Sequence, residues 1–469
     1  MMMIELLIAL AIFALVMGGV ALMRSLDAAA PVYIDHVIAA TTAAENVMQE
    51  ARERAASDFA NVTSTTSIRD ADTVSLEVAD VSPCLKQATA AYSYDSRHGI
   101  TDEAAFTTLF ASPAELRRLG GDCDSVVPPA SIELSNGSTF AVGTTTAFDV
   151  LRGTAYIGIE SPPYLAIVKM PHDVESRAFS NGFALPAKPN ALDAAAVERA
   201  DGITRTYLYA ALATSSGQFA VADVTDPDAP VLVAVRSLAG VAGEEPGAWR
   251  VLYYERAAYV TTRRTAGPEL HRFDVSDPND PKEEGSGLEI NSTINALAAR
   301  DEGPDASSTR YLFAAAERAG GELAVYDVTD ARHGGDMIEL PDARVDLPGT
   351  EDALSLALNG SRLYLGREAS GTAPELFAFD ASNPSRALPL IGSADASAAI
   401  TSMRAWGPYL LLSTGRAGKE AELWNVASAS AMAPLSNMPI AKAFATDIED
   451  AMLYVLSPEG VSLFALNPS

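Results

Sequence analysis

Residues 204–238 read TRTYLYAALATSSGQFAVADVTDPDAPVLVAVRSL, two apolar strand-like runs joined by a polar turn and followed by Asp-Val-Thr-Asp-Pro. The same arrangement returns in residues 308–335, STRYLFAAAERAGGELAVYDVTDARHGG. Each copy predicts an aromatic-aliphatic strand, a polar hairpin and a second strand. The chain therefore contains an internal repeat. Further copies, some of them weaker, occupy residues 153–170, 255–281, 360–390, 407–430 and 451–469.

The repeat length predicts a seven-bladed β-propeller over residues 130–469. Seven units fit residues 146–469 at a spacing of about 46 residues, which is the length of a four-stranded blade. A further strand, such as ALSLAL or ITSMRAW, leads each unit. The last unit ends without an outermost strand, so we expect SIELSNGSTFAV, residues 131–142, to pair there and close the ring.

The segment FAVADVTDPDAPVLVAV resembles the Leu-Val-Ile-Val-Asp repeats of bacterial surface propellers. Its Asp-Val-Thr-Asp-Pro run, and the related run at residues 274–281, space carboxylates as a calcium loop does. However, Asp-Pro is also typical of a tight turn, and the glycine and distant glutamate of a calcium loop are missing. We interpret these runs as turns between outer strands.

The first 24 residues, MMMIELLIALAIFALVMGGVALMR, carry one carboxylate, Glu5, followed by 18 uncharged residues from Leu6 to Met23. As a helix this stretch would reach about 34 Å, enough to cross a bilayer. A carboxylate at the end of such a helix is costly unless it is paired. A secretory signal peptide would have a basic start and a cleavage site, and a plain membrane anchor would not explain Glu5. Both remain alternatives.

The stretch MMMIELLIALAIFAL resembles the amino terminus of processed type IV pilins and pseudopilins, which have an apolar first residue and a glutamate at the fifth. The basic leader that a membrane peptidase removes in that family is absent, so we expect the numbering to be that of the mature chain. The resemblance implies that Met1 and Glu5 are assembly residues. The N-methylated α-amino group of one subunit would pair with the glutamate of a neighbour and set the register of the filament.

Residues 25–57 continue with a helical apolar stripe, so the sequence predicts a pilin-like helix over residues 1–57. The pair Gly18-Gly19 and Pro31 weaken that helix. They mark either a simple kink or, as the resemblance implies, a stretch that unwinds when the subunit leaves the membrane.

Residues 58–129 have a mixed pattern. TVSLEVADV alternates as a strand does, whereas TDEAAFTTLF and SPAELRRLG predict short helices with Thr or Ser caps. The segment looks too short for a complete pilin head with a four-stranded sheet, so we interpret it as a reduced head or connector. In an exported chain we expect a Cys84–Cys123 disulfide to staple it, with two buried free thiols as the alternative.

The composition excludes several function classes. The 33 basic residues face 61 acidic ones, a net charge of −28, which argues against a nucleic-acid partner. The five histidines are scattered, and no phosphate loop, nucleophile elbow or zinc motif is present. We therefore expect no catalytic residues, no metal site and no cofactor. Possible glycosylation sites are the four Asn-x-Ser/Thr sequons at Asn61, Asn136, Asn291 and Asn359.

The sequence thus predicts a mainly β fold class with a long N-terminal α-helix as a pilin-like stem, a small disulfide-stapled connector and a seven-bladed β-propeller. The expected function is that of a structural pilin in an extracellular type IV pilus-like filament, with the propeller displayed for adhesion. Its partners would be copies of itself, the inner-membrane prepilin peptidase and assembly machinery, and a surface ligand or glycan. The subunit would wait in the inner membrane before assembly. A minor or tip adhesin, a secretion-system pseudopilin and a membrane-tethered propeller enzyme remain the alternatives.

Overall fold

The computed structural model describes most of the chain after residue 63 and divides it into two compact units, residues 1–117 and residues 118–469. The described residues are Val47 and the ranges 64–69, 72–82, 85–96, 100–111, 133–134, 138–169, 178–199, 202–241, 247–302, 309–318, 320–329, 336–449 and 452–467.

The first unit contains a four-stranded antiparallel sheet in which each strand pairs with the next along the chain. One face of the sheet is buried, with Val74, Leu76, Ala88 and Ala90 at most 5% exposed, while Glu77 points to solvent. This alternation follows from the period of two along a strand. The strands are β1 (Thr65–Arg69), β2 (Asp72–Ser82), β3 (Leu85–Ser96) and β4 (Ile100–Ala111).

This sheet corrects the expected fold class. The prediction of a strand at TVSLEVADV is confirmed, since it lies in β2, but TDEAAFTTLF is strand β4 rather than a helix. Its Ala and Glu residues favour a helix locally, yet β4 pairs with β3 along its whole length, with Phe106 opposite Ala90. Cross-strand packing therefore overrides local propensity.

Residues 65–111 hold four strands, so the expectation that this segment is too short for a four-stranded sheet is wrong. Apart from Val47, which has a helical conformation, the described residues contain no α-helix and no disulfide, so the expected helical stem and stapled connector are not part of the fold that the structure describes. Residues 1–46, which include the predicted stem up to Asn46, and both cysteines lie outside the described residues. No helix within the described part of the chain is long and apolar enough to span a membrane.

The second unit is a seven-bladed β-propeller, as the repeat predicted. Each blade is an antiparallel sheet, and in blades 1 to 6 the strands follow in sequence order from the inner to the outer edge. The first three blades comprise β7 (Thr145–Leu151), β8 (Thr154–Ile159), β9 (Tyr164–Lys169) and β10 (Ala178–Ala184); β11 (Pro189–Glu198), β12 (Thr204–Leu212), β13 (Phe219–Asp223) and β14 (Val231–Arg236); and β15 (Ala248–Tyr254), β16 (Ala257–Thr262), β17 (Leu270–Asp274) and β18 (Lys282–Leu288).

The remaining blades follow the same order, with two single 3₁₀ turns at Pro341–Ala343 and Ala429–Ala431. Their strands are β19 (Ile294–Glu302), β20 (Thr309–Ala316), β21 (Leu323–Asp327) and β22 (Ile338–Glu339); β23 (Ala353–Asn359), β24 (Arg362–Arg367), β25 (Leu376–Asp380) and β26 (Leu390–Ala394); β27 (Ile400–Trp406), β28 (Tyr409–Thr414), β29 (Ala421–Asn425) and β30 (Ala433–Met438); and β31 (Ala445–Glu449), β32 (Met452–Ser457) and β33 (Gly460–Asn467).

The ring closes through strands that precede blade 1. Two short strands, β5 (Glu133–Leu134) and β6 (Ser138–Phe140), pair antiparallel with β33 and supply the outer edge of blade 7. The predicted closure by residues 131–142 is confirmed. The innermost strands of consecutive blades are in contact all the way round, including β31 with β7. They therefore surround a central channel.

The hydrophobic core lies between the blades rather than in one central mass. One cluster joins Tyr209 and Phe219 of blade 2 to Val260 and Phe273 of blade 3, all at most 1% exposed. The rings of Phe219 and Phe273 are 4.7 Å apart between centroids, within the range of favourable aromatic pairs. Since both faces of a blade are covered by its neighbours, second strands such as β28, with the sequence YLLLST, are buried along their whole length.

Candidate ligand-binding channel

The innermost strands give the channel one equivalent position per blade. In six blades this position lies opposite an aromatic residue of the second strand, as Asp149 lies opposite Tyr156. Blades 3, 4 and 5 carry apolar residues there, whereas the other four blades carry charged ones. In blade order the residues are Asp149, Asp193, Leu252, Ala298, Ala357, Arg404 and Asp447.

Each of the three aspartates links its blade to the next one. A carboxylate oxygen accepts a hydrogen bond from a backbone N–H on the inner edge of the following blade, where the strand has no further partner in its own sheet. These bonds fix the junctions 7/1, 1/2 and 2/3. The donor–acceptor distances are 3.0 Å for Val150 to Asp447, 2.6 Å for Ala194 to Asp149 and 2.6 Å for Tyr253 to Asp193.

Arg404 connects two of these carboxylates from blade 6. Its Nε lies 3.2 Å from Oδ1 of Asp447, and its Nη2 lies 3.3 Å from Oδ1 of Asp149. The Arg404 side chain is 48% exposed, although the two carboxylates are nearly buried. It therefore faces the channel. The negative charges of Asp447 and then Asp149 raise its pKa, so it remains a cation.

One arginine cannot neutralise three carboxylates. Burial raises the pKa of Asp149 well above its usual range, and the charges of Asp447 and Asp193 raise it further. Burial likewise raises the pKa of Asp193, to about 7. The pair Asp149 and Asp193 can therefore hold a proton near neutral pH, which lowers the cost of placing like charges together.

A basic site lies on the innermost strand of blade 3, two residues before the channel position at Leu252. The guanidinium carbons of Arg250 and Arg263 lie 4.2 and 4.1 Å from the centroid of the Trp249 ring. Arg250 donates from Nε to the carbonyl of Asn295 at 2.6 Å, and from Nη1 to the carbonyl of Trp249 at 3.2 Å. Trp249 itself donates weakly, at 3.4 Å, to Oδ1 of Asn295.

Sequence reasoning missed a set of buried glutamates just before the third strand of several blades. Glu269 and Glu375 are fully buried. Each accepts hydrogen bonds from two backbone N–H groups in the connection to the next blade, and Glu375 takes those of Ala396 and Ser397 at 3.0 and 3.1 Å. The signal was present in the repeat, where a polar Glu or Gln precedes an apolar strand in units 2 to 5. These residues are structural.

The Asp-Pro runs are turns, as interpreted. Asp223 accepts the backbone N–H of Thr225, and Asp226 accepts that of Asp228, both at 3.0 Å. The equivalent Asp274 accepts the N–H of Ser276 at 2.9 Å. These are Asx turns between the third and fourth strands. No group of three or more His, Cys, Asp or Glu in the described ranges is arranged to hold a metal ion.

His271 has a carboxylate partner, Glu283, that lies 12 residues away in sequence and was not recognised from the sequence. Its fully buried ring faces Oε1 of Glu283 from Nδ1, at 2.6 Å, and the Pro268 carbonyl from Nε2, at 3.0 Å. The carboxylate of Glu283 also accepts the backbone N–H of Ala239. The group ties strands β17 and β18 to the connection from blade 2.

Most of the predicted site residues lie outside the described residues, namely Met1, Glu5, Gly18, Gly19, Pro31, Cys84, Cys123, Asn61 and Asn136. Two sequons are described. Asn291 is exposed in the turn before β19. Asn359 is 1% exposed and its Nδ2 donates to the Gly407 carbonyl at 2.8 Å, so a glycan there would require the loss of this contact.

No model of a known protein family matches the sequence, and no curated protein matches it. Solved structures share the fold. The chain is similar to one in the crystal structure of BBS1N in complex with ARL6DN, at 12% identity and a TM-score of 0.51, over 73% of this chain and 99% of that one. A chain of the Mitotic Checkpoint Complex gives 12% identity and a TM-score of 0.50, over 73% and 97%. BamB from Moraxella catarrhalis gives 15% and 0.41, over 87% and 97%. At these identities the first two likenesses show the fold alone.

Proposed function

We propose that this chain is a structural subunit of an extracellular type IV pilus-like filament that displays its propeller on the surface for binding. The observation that carries the proposal is the order of three parts along one chain. A pilin-like amino terminus with Glu5 comes first, a four-stranded antiparallel sheet second and a closed propeller last.

The sheet β1–β4 supports this assignment because pilin heads in the family that the amino terminus resembles contain a four-stranded sheet. The sequence alone suggested that too little chain was available for one. The sheet has one buried and one exposed face, as a head packed on a further element would have.

The propeller supports a binding role rather than a catalytic one. Asp149 and Asp447, two of the three channel carboxylates, each accept a backbone N–H and contact Arg404, so their oxygens hold the ring together. Because β5 and β6 pair with β33, the ring is closed without an unpaired strand edge in β33. Such closure suits a domain that is displayed in many copies, because unpaired edges promote aggregation.

Substituting Glu5→Ala tests the proposal in cells that make the full chain. An unpaired carboxylate in an apolar filament core costs several kcal/mol, so the glutamate and a neighbouring amino group would set the register of assembly. We expect surface filaments to disappear while the subunit accumulates in the membrane fraction. Electron microscopy with antibodies against the propeller provides the measurement, and Glu50→Ala, beyond the apolar stretch, is the matched control.

Unchanged display of the propeller in the Glu5→Ala variant, with no filaments in the wild type, would instead support a plain membrane tether. Quantifying the subunits of purified filaments separates a major pilin from a minor or tip adhesin. A chain that is incorporated only into short assemblies of a secretion machine would point to a pseudopilin.

A further inference from the structure

Comparing the same position of the innermost strand in all seven blades shows that Arg250 is unusual. The equivalent position in the other six blades holds only alanine or serine, so the blade architecture does not require a long side chain there. Blade 3 is the exception, with a guanidinium next to a tryptophan. The six small residues are Ala147, Ala191, Ala296, Ser355, Ser402 and Ala445.

Arg250 carries a charge that is poorly compensated. Its polar contacts are two carbonyl oxygens, and its guanidinium stacks on Trp249. Within the part of the chain that the structure describes, no carboxylate lies at ion-pair distance from it. The other arginine of the channel, Arg404, has two such carboxylates. Burial, and then the positive charge of Arg263, lower the pKa of Arg250 to about 10.

Contacts with neighbouring residues hold the side chains of Trp249 and Arg250 in fixed positions. Two guanidiniums share the ring of Trp249, and both the indole and Arg250 are tied to Asn295. Asn295 in turn donates from Nδ2 to the carbonyl of Ala353 in blade 5, at 3.0 Å. A ligand would therefore meet preorganised donors and would not have to order flexible side chains.

We propose that Arg250, stacked beside Arg263 on Trp249 of blade 3, binds the carboxylate group of a small ligand. A guanidinium presents paired N–H donors that match the two oxygens of a carboxylate. The ligand must be small, because a chain of net charge −28 repels acidic macromolecules.

The acidic cluster also selects for a single negative charge. Asp149, Asp193 and Asp447 occupy the position two residues further along the innermost strands than the one that holds Arg250. Asp193 of blade 2 accepts the N–H of Tyr253, three residues along the same strand from Arg250, which corresponds to about 10 Å and matches the distance over which salt screens charges. A divalent phosphate or sulfate is therefore repelled more strongly than a monovalent carboxylate.

Titration of the full-length chain in detergent tests this site, with heat of binding and tryptophan fluorescence as readouts. The probes are glucuronate, lactate, glucose and inorganic phosphate. We expect saturable binding of glucuronate at millimolar concentration or below, no binding of glucose and weaker binding of phosphate. Equal binding of lactate assigns recognition to the carboxylate alone, whereas a preference for glucuronate assigns it to an acidic sugar.

Arg250→Gln should weaken carboxylate binding about tenfold or more, the usual effect of losing a hydrogen bond to a charged group. Arg263→Gln is the second variant, because its exposed side chain can be changed without disturbing the core. Arg386→Gln, on an exposed turn of blade 5, is the matched control and should bind as the wild type does. Absence of saturable carboxylate binding, tighter binding of phosphate, or unchanged affinity in both arginine variants would overturn the site.

Discussion

Replacing Asp193 by asparagine should stabilise the propeller at pH 8 and by less than half as much at pH 5. The folded protein raises the pKa of this carboxyl from 3.8 to about 7, chiefly through burial. A raised pKa means that the folded state binds the proton more tightly than the unfolded state does. The contribution of Asp193 is therefore most favourable below pH 4 and is lost as the pH rises towards 7.

The size of the effect follows from the shift. About three pKa units at about 1.4 kcal/mol each give an upper limit of about 4 kcal/mol at pH 8. Asp193 is only partly shielded from solvent and titrates together with nearby acidic groups, so we expect about 2 kcal/mol. Asparagine keeps an oxygen that can accept the N–H of Tyr253, which preserves the link between blades 2 and 3.

Urea unfolding of the full chain at both pH values provides the measurement. Tryptophan fluorescence reports on the propeller alone, because Trp249, Trp406 and Trp424 all belong to it. Asp226→Asn, in an exposed turn, is the control and should show no such dependence on pH. A variant that is less stable than the wild type at pH 8, or one that gains equally at both pH values, would refute the electrostatic account of the channel.

Three further outcomes follow from the structure. Arg404→Met should destabilise the propeller by about 3 kcal/mol at pH 8 and by less at pH 5, because it leaves buried carboxylates without their cation; urea unfolding measures both. Gly392→Ala should cost about 2–3 kcal/mol, since its Cβ would collide with a backbone carbonyl, whereas Gly371→Ala, with open space around it, should be near neutral in the same assay. Removing residues 1–142 should lower the melting temperature and cause aggregation, while removing residues 1–130 keeps β5 and β6 and should do neither.

The propeller could be predicted because its information is repeated along the chain. The second and third strands of each blade, such as β12 and β13, share one pattern and one turn chemistry, and the copies reinforce each other. The sequence also showed that the last repeat lacks the outer strand that the other repeats have. It predicted closure by a segment more than 300 residues away in sequence, which pairs with β33.

The small sheet could not be predicted with the same success because it has a single copy and a conflicting local signal. Strand β4 contains Glu103, Ala104 and Ala105, all compatible with a helix, and only its pairing with β3 decides the outcome. Strand preference depends on packing partners that one sequence does not reveal.

The channel residues were missed for a different physical reason. Asp149, Asp193, Arg404 and Asp447 lie in four separate repeats, each as one charged residue within an apolar strand. Their chemistry arises only when the ring brings those strands together. Aligning the innermost strands with one another, rather than the more conspicuous second and third strands, would have placed the four charges at one level of the channel.

The closing strands β5 and β6 also determine how the propeller carries mechanical load. A pull on the chain that precedes residue 133 reaches the ring first at these strands. Hydrogen bonds to β33 transfer part of the force to blade 7, and the covalent chain transfers the rest to β7 in blade 1. Tension from the N-terminal side is thus shared by the two blades that flank the closing seam, so that a tethered propeller resists being pulled open at the point where its circle of blades begins and ends.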